Sequence, residues 1–202
     1  IYIPRYRNLF GDKRDYLRGF GYQGGASREG WHKGVAELAI GEELKEYVSI
    51  PGQWSIGMGG FGEFLPVHTN RMTINKNKKD KHGMYVIDFD VEYKENEHKM
   101  RKDMANDAAE MLTAMGIKNV RTWDRVSGPG IGIHEMGTAR MGKDPKTSVL
   151  NKHNQVHACK NVFVTDGSFM VSSSCVNPSL TYMAFTARAV DFAVNELKKQ
   201  NL

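Results

Sequence analysis

The clearest alternation of apolar and polar positions in this 202-residue chain falls on Tyr85–Tyr93. Ile87, Phe89, Val91 and Tyr93 share one face, and Asp88, Asp90 and Glu92 share the other. A period of two is the strand period, so the segment predicts a strand with one buried and one wet face, as antiparallel pairing allows. Met72 and Ile74 alternate with polar partners upstream. The Lys-rich stretch Lys76–Lys81, closed by Gly83, therefore predicts a hairpin loop. The period then changes. Met100, Met104, Ala108, Met111, Leu112 and Met115 recur at helical spacing and predict a helix over 97–115, packed on the sheet by its methionine stripe. Asn96 stands where a cap belongs and Gly116 where the helix should stop. A second long helix is predicted from near Pro178 to about Lys199. Pro178 would lie in its first turn, with Leu180, Met183, Ala184, Ala187, Val194 and Leu197 on the buried face. An apolar strand, Asn161–Thr165, and a turn at Asp166-Gly167 precede it.

Strand, turn and helix in that order read as the close of an α/β unit. The fold class is thus α+β / α/β: an antiparallel sheet with a packed helix over residues 1–128, then a strand–turn–helix segment over 129–202. A short helix over 35–47 is weakened by Gly41. Residues 1–34, rich in Gly, Arg and aromatics, show no clean period and read as loops and short strands. The first residue is Ile1 rather than Met, which reads as the middle of a longer protein, so the compartment stays open.

Composition narrows the function classes. Hydrophobic residues make up 40% and charged residues 25%, ordinary for a soluble globular protein. No apolar run approaches the roughly 18 residues of a membrane span, and no signal peptide is visible. The net charge of +5 is densest at Lys76–Lys81, where a solvated loop explains it better than a nucleic-acid surface. Cys159 and Cys175 make no disulfide framework and read as free buried thiols. His153, His157 and Cys159 are loosely spaced like metal ligands, but no second cluster completes a site, so no metal is expected. Gly57, Gly59 and Gly62 spell G-x-G-x-x-G. A dinucleotide fingerprint needs a helix directly afterwards, and Glu63-Phe64-Leu65-Pro66 does not open one. These glycines are expected instead to permit a close approach within a strand or bulge.

Two segments carry chemistry. In Gly132–Gly142 a histidine, His134, sits among glycines and small residues where a substrate could approach. An imidazole titrates near neutrality and can accept a proton at working pH. It could equally be a hydrogen-bonded structural histidine. Asn177 precedes a helix start, where the dipole favours developing negative charge.

The pattern H-x-M-G-T-x-R-M-G from His134, then V-T-D-G-S through Asp166-Gly167, then N-P-S-L-T-x-M-A from Asn177, resembles the C-terminal end of the glucose–methanol–choline (GMC) oxidoreductases. Phe61–Pro66 with Asn70-Arg71 also looks like that family's substrate-domain strands. The likeness is strong over 128–198 and moderate over 53–93. It lies nearest the bacterial sugar dehydrogenases and pyranose oxidases. It implies FAD as cofactor, with 1–128 the C-terminal part of a substrate-binding domain and 129–202 the end of a Rossmann-like FAD domain. It implies His134 and Asn177 as the catalytic pair. His134 would take the proton of a sugar, polyol or other alcohol CH-OH while hydride passes to flavin N5. It implies Asp166 and Gly167 as the turn meeting the ribityl–phosphate region, and Asn177, Pro178 and Thr181 as the helix start facing the pyrimidine ring. The family's own G-x-G-x-x-G has no counterpart here, so an N-terminal FAD-binding part is the expected partner. The alternatives are a non-catalytic binding or structural module that keeps the fold, and a nicotinamide enzyme using Gly57–Gly62.

Overall fold

Tyr16, Phe20 and Tyr22 seed the first of two compact units in a computed structural model that describes residues 1–30, 40–124 and 128–202. The first unit comprises Ile1–Phe64 and Lys94–Asp124; the second comprises Leu65–Tyr93 and Arg125–Leu202. In the first, strands β1 (Tyr2–Ile3), β2 (Phe20–Arg28) and β3 (Trp54–Gly62) form an antiparallel sheet in that order. Phe20 opposes Gly62 and Arg28 opposes Trp54, so the second and third strands pair over their full length. Helix α1 (Glu42–Ser49) starts after Gly41, at φ +73°, within the stretch predicted as a helix over 35–47. Residues 35–39 of that prediction lie outside the described residues.

Helix α2 (Glu95–Ala114) lays Met100, Met104, Ala108 and Met111 on the Phe20–Tyr22 cluster, the role predicted for the methionine stripe. Complete burial of one such side chain is worth about 1.5–3 kcal/mol. Met115 departs from the prediction: it lies past the helix end and is exposed. The G-x-G-x-x-G segment lies within β3, followed by no helix. A Cβ on Gly60 would collide with Met104, and one on Gly62 would come within 2.6 Å of the Met100 sulfur. These two glycines clear room for the helix's methionines. Asn96 is not the cap. Lys94 occupies the cap position, and Glu97 accepts the Lys94 N–H at 2.9 Å. Asn96 instead accepts the Leu17 N–H at 2.7 Å, tying helix to loop. Gly116, at φ +80°, ends the helix as expected, and Ile117 N–H returns to Leu112 O.

A charged network fastens the N-terminal loop to α2. Arg7 grips Asp107 with Nε at 2.6 Å and Nη2 at 2.7 Å, and Tyr6 Oη donates to the same carboxylate at 2.8 Å. Tyr16 Oη donates to Asp103 at 2.6 Å. Burial pushes the Asp107 carboxyl up, but the bonds from Arg7 and Tyr6 and the charge of Arg14 outweigh it and hold it below the usual range. Burial, then Asp107, pushes Tyr6 up to about 12.

In the second unit, β4 (Arg71–Lys79) and β5 (Tyr85–Asp90) form the predicted hairpin. The strand runs further into the Lys-rich segment than predicted, to Lys79, past an irregularity after Ile74. Asp80 then builds the turn, with Oδ1 accepting from His82 N–H and Met84 N–H. The predicted buried face forms only in part: Val91 and Tyr93 are half-buried. Met72, Ile74, Ile87 and Phe89 are exposed, Phe89 by 73%, because the sheet has two strands. Strands β6 (Gln155–Val156) and β7 (Cys159–Phe163) form a second antiparallel pair. Cys159 is exposed and Cys175 half-buried, so neither thiol is fully buried as expected. Helix α3 (Ser179–Lys198) begins one residue after Pro178, which is buried at the cap. Its buried face is not the predicted one. Leu180 is 78% exposed, and Met183, Val194 and Leu197 are also exposed. Ala189 is buried instead, and Phe185 and Phe192 of the same face stack on Phe169 and His153. Among the described residues no helix is long and apolar enough to cross a membrane.

Because the native Asp107 pKa is depressed, its contribution is present above the unfolded carboxylate value near 4 and is lost as pH falls through the folded value. Acid unfolding of the first unit should therefore begin below about pH 4. Arg7→Leu, which strands a buried carboxylate, should raise that midpoint and lower stability by about 3 kcal/mol. Circular dichroism across pH 2–7 measures both; an unmoved midpoint would remove the network from the account.

Candidate functional site

Asp166 follows β7 by three residues, and its carboxylate turns the chain. Asp166 Oδ1 accepts the Ser168 N–H at 2.8 Å and the Ser168 hydroxyl, capping the 3-10 turn Gly167–Phe169. That turn holds the His134 segment by main-chain bonds. Ala139 N–H donates to Ser168 O and Met141 N–H to Phe169 O, each at 3.0 Å. Phe169 is buried and stacks on Phe185 of α3 at 4.8 Å. The turn therefore joins the His134 segment on one side and α3 on the other.

Gly167 is the point of closest approach. A Cβ there would lie 2.6 Å from Tyr182 Oη and 2.9 Å from Met136 Sδ. Tyr182 Oη in turn lies 3.4 Å from Met136 Sδ. Burial first, then the negative charges of Asp166 and Glu135, pushes the Tyr182 phenol up. Three stretches distant in sequence thus meet at Gly167: Met136 beside His134, the Asp166 turn, and the first turn of α3. His134 is half-buried on an irregular loop, between a left-handed Ile133 at φ +56° and a left-handed Gly137 at φ +87°. Glu135 Oε1 accepts the Gly132 N–H across this loop at 3.0 Å.

Asn177 is exposed just ahead of α3, and Thr181 is half-buried in its first turn. No side chain caps this helix, so its first N–H groups face outward with the positive end of the dipole. Among the described residues no hydrogen bond joins His134 to Asn177. The sequence reading missed Tyr182, Met136 and Glu135 as elements of this arrangement. Tyr182 is visible in hindsight as the fourth residue of a helix that starts just after a buried proline, and Glu135 as a carboxylate three residues beyond Gly132.

The loosely metal-like trio is dispersed over other contacts. His153 stacks flat on Phe192 at 3.8 Å, His157 Nε2 pairs with Ser148 Oγ at 3.0 Å, and Cys159 Sγ contacts Asn161. A cleft of about 550 Å³ lies beside His153, lined also by Arg188, Phe192, Glu196 and Lys199. None of the predicted site residues lines that cleft.

A Gly167→Ala substitution forces its methyl against Tyr182 and Met136. Overpacking of this kind costs about 1–3 kcal/mol. Thermal unfolding should register that loss, whereas Gly128→Ala, where nothing approaches a Cβ, should change little. Equal behaviour of the two variants would show that the three segments do not meet as described.

Comparison with known proteins gives this arrangement its lineage. The family model for GMC oxidoreductases matches residues 66–186, more than half of the chain. The chain is 38% identical over 133 residues to 2-methyl-1,2-propanediol dehydrogenase of Mycolicibacterium austroafricanum, covering 65% of this chain and 24% of that protein. It is 29% identical over 170 residues to the fructose dehydrogenase large subunit of Gluconobacter japonicus, covering 83% of this chain and 30% of that protein. It is 26% identical over 176 residues to pyranose 2-oxidase of Tricholoma matsutake, covering 83% and 31% respectively. The chain thus spans about a third or less of the length of each. On the extent of the family match, this chain belongs to the GMC oxidoreductases.

Proposed function

We propose that this chain supplies the substrate-facing part of an FAD-dependent oxidoreductase acting on the CH-OH group of a sugar, polyol or other alcohol. The observation that carries this reading is the convergence at Gly167, which joins the His134 segment, the Asp166 turn and the start of α3. It accords with relatives named as a diol dehydrogenase, a fructose dehydrogenase subunit and a pyranose oxidase.

The residues present fit a flavin. The uncapped N-terminus of α3 offers backbone N–H groups and a positive dipole end, suited to an electron-rich ring. Asn177, Pro178 and Thr181 would face that ring, and Asp166 and Gly167 would meet the ribityl–phosphate region. Bound there, FAD supplies the acceptor for the hydride released from the alcohol carbon. His134 would take the hydroxyl proton, and the C–O bond would become a carbonyl as the C–H bond breaks and hydride leaves. Asn177 donates to the same oxygen and keeps the carbon in line. Residues 1–128 contribute to the substrate side and 129–202 to the flavin side.

The partner in this reading is the N-terminal FAD-binding part of the same protein. Two uncovered apolar faces support it: Met72, Ile74, Ile87 and Phe89 on the hairpin, and Leu180, Met183, Val194 and Leu197 on α3.

In the full-length, FAD-loaded protein, His134→Ala should slow anaerobic flavin reduction at least about a hundredfold, the low end for general base catalysis. Bleaching of the flavin absorbance by 2-methyl-1,2-propanediol, D-fructose or an aldopyranose, followed by stopped flow, gives the rate. A rate within a few fold of the parent's removes His134 as the base.

A further inference from the structure

The loop that presents His134 contains an energetic anomaly. Left-handed backbone suits glycine, and Gly130 and Gly137 adopt it freely at φ +91° and +87°. Ile133, immediately before the histidine, adopts it at φ +56° although it is β-branched. Its side chain cannot repay the strain, because it is 84% exposed and has little to pack against. Something else must hold the turn.

The hydrogen bond from Gly132 N–H to Glu135 Oε1, at 3.0 Å, spans the strained residue and the histidine together. An ionised acceptor strengthens such a bond. Residues held in a disfavoured conformation persist only where their surroundings over-determine them, and such positions cluster at functional sites. Downstream, the same segment is fixed by Ala139 to Ser168, Met141 to Phe169 and Met136 against Tyr182. Upstream of His134, the solvent-exposed Glu135 bond is the tether that closes the loop among the described residues. Glu135 also occupies a position that the H-x-M-G-T pattern leaves open, so the motif itself assigns it no task.

We infer that Glu135 is a positioning residue: its carboxylate clamps the Gly132 N–H, fixes the left-handed Ile133, and so aims the His134 imidazole. The inference rests on His134 being the base. Glu135 touches neither substrate nor flavin in this account and transfers no proton. Its effect is therefore on the rate of the chemical step and not on substrate affinity, since a misaimed base lowers kcat while leaving binding groups in place.

The test uses the full-length, FAD-loaded protein with the three probe alcohols above. Glu135→Ala should slow flavin reduction about tenfold, within the roughly hundredfold that small misplacements cause, with half-saturating substrate concentration little changed. Glu135→Gln keeps an oxygen acceptor for Gly132 and should restore most of the rate. Ile133→Gly in the Glu135→Ala background removes the strain and should recover part of it. Hydrogen exchange read by mass spectrometry on peptides spanning 130–136 reports the clamp independently of turnover. Exchange should be faster in Glu135→Ala and near the parent's in Glu135→Gln.

The outcomes separate the two claims. If His134→Ala is slow while Glu135→Ala matches the parent, the base stands and the clamp is overturned. Equal losses in Glu135→Ala and Glu135→Gln would also overturn it, since the charge and not the clamp would then matter. If His134→Ala itself keeps the parent's rate, the reading of His134 fails first and the clamp's catalytic role with it.

Discussion

The absence of a side chain at Gly167 is the constraint on which the candidate site depends. Tyr182 Oη and Met136 Sδ occupy the space that a Cβ would need. Those two atoms belong to segments 46 residues apart in the chain, and the turn between them is fixed by the Asp166 cap. A side chain there would push Tyr182 or Met136 aside and loosen the meeting of the His134 segment with the start of α3. The main-chain bonds from Ala139 and Met141 then carry that placement along the His134 segment.

The first unit solves a similar problem with different means. Its sheet contains glycine where α2 presses closest, at Gly60 and Gly62, so that methionine side chains fill the space a branched residue would have fixed. The other fastening is ionic. Asp107 is buried on α2 and meets a bidentate Arg7 and Tyr6 from the N-terminal loop. Such a pair is weak evidence of net stability, because desolvation opposes it. What it does show is that the loop and α2 share one carboxylate, with Arg7 and Tyr6 both bonded to Asp107.

Much of this was legible in the sequence where a local rule decides the outcome. Gly116 stops α2, the hairpin around Gly83 forms, and G-x-G-x-x-G without a following helix is a strand. The misreadings came where tertiary context decides. Asn96 looked like a cap but serves Leu17, because Glu97 already satisfies the cap backbone. The hairpin strand Tyr85–Asp90 shows a period of two that promises a buried face, yet a period says only that two faces differ. Of the candidate site, the His134 and Asn177 motifs were visible because their spacing is distinctive. Glu135 and Tyr182 were not, since one acts through a main-chain N–H and the other through a gap at a glycine.

Helix α3 shows the limit most clearly. Phe185, Ala189 and Phe192 line one side and Leu180, Met183, Val194 and Leu197 another, with Arg188, Asp191 and Asn195 on a polar stripe between them. Periodicity could not choose between the two faces, because both satisfy it. Aromatic stacking decided: Phe185 against Phe169 and Phe192 against His153 gain specific geometry that aliphatic side chains lack. The aliphatic face stays uncovered. In the proposed reading the FAD-binding portion would cover it. In that reading the aromatic face holds the helix to the Phe169 turn, the aliphatic face meets the FAD-binding portion, and the uncapped N-terminus would be set where the flavin arrives.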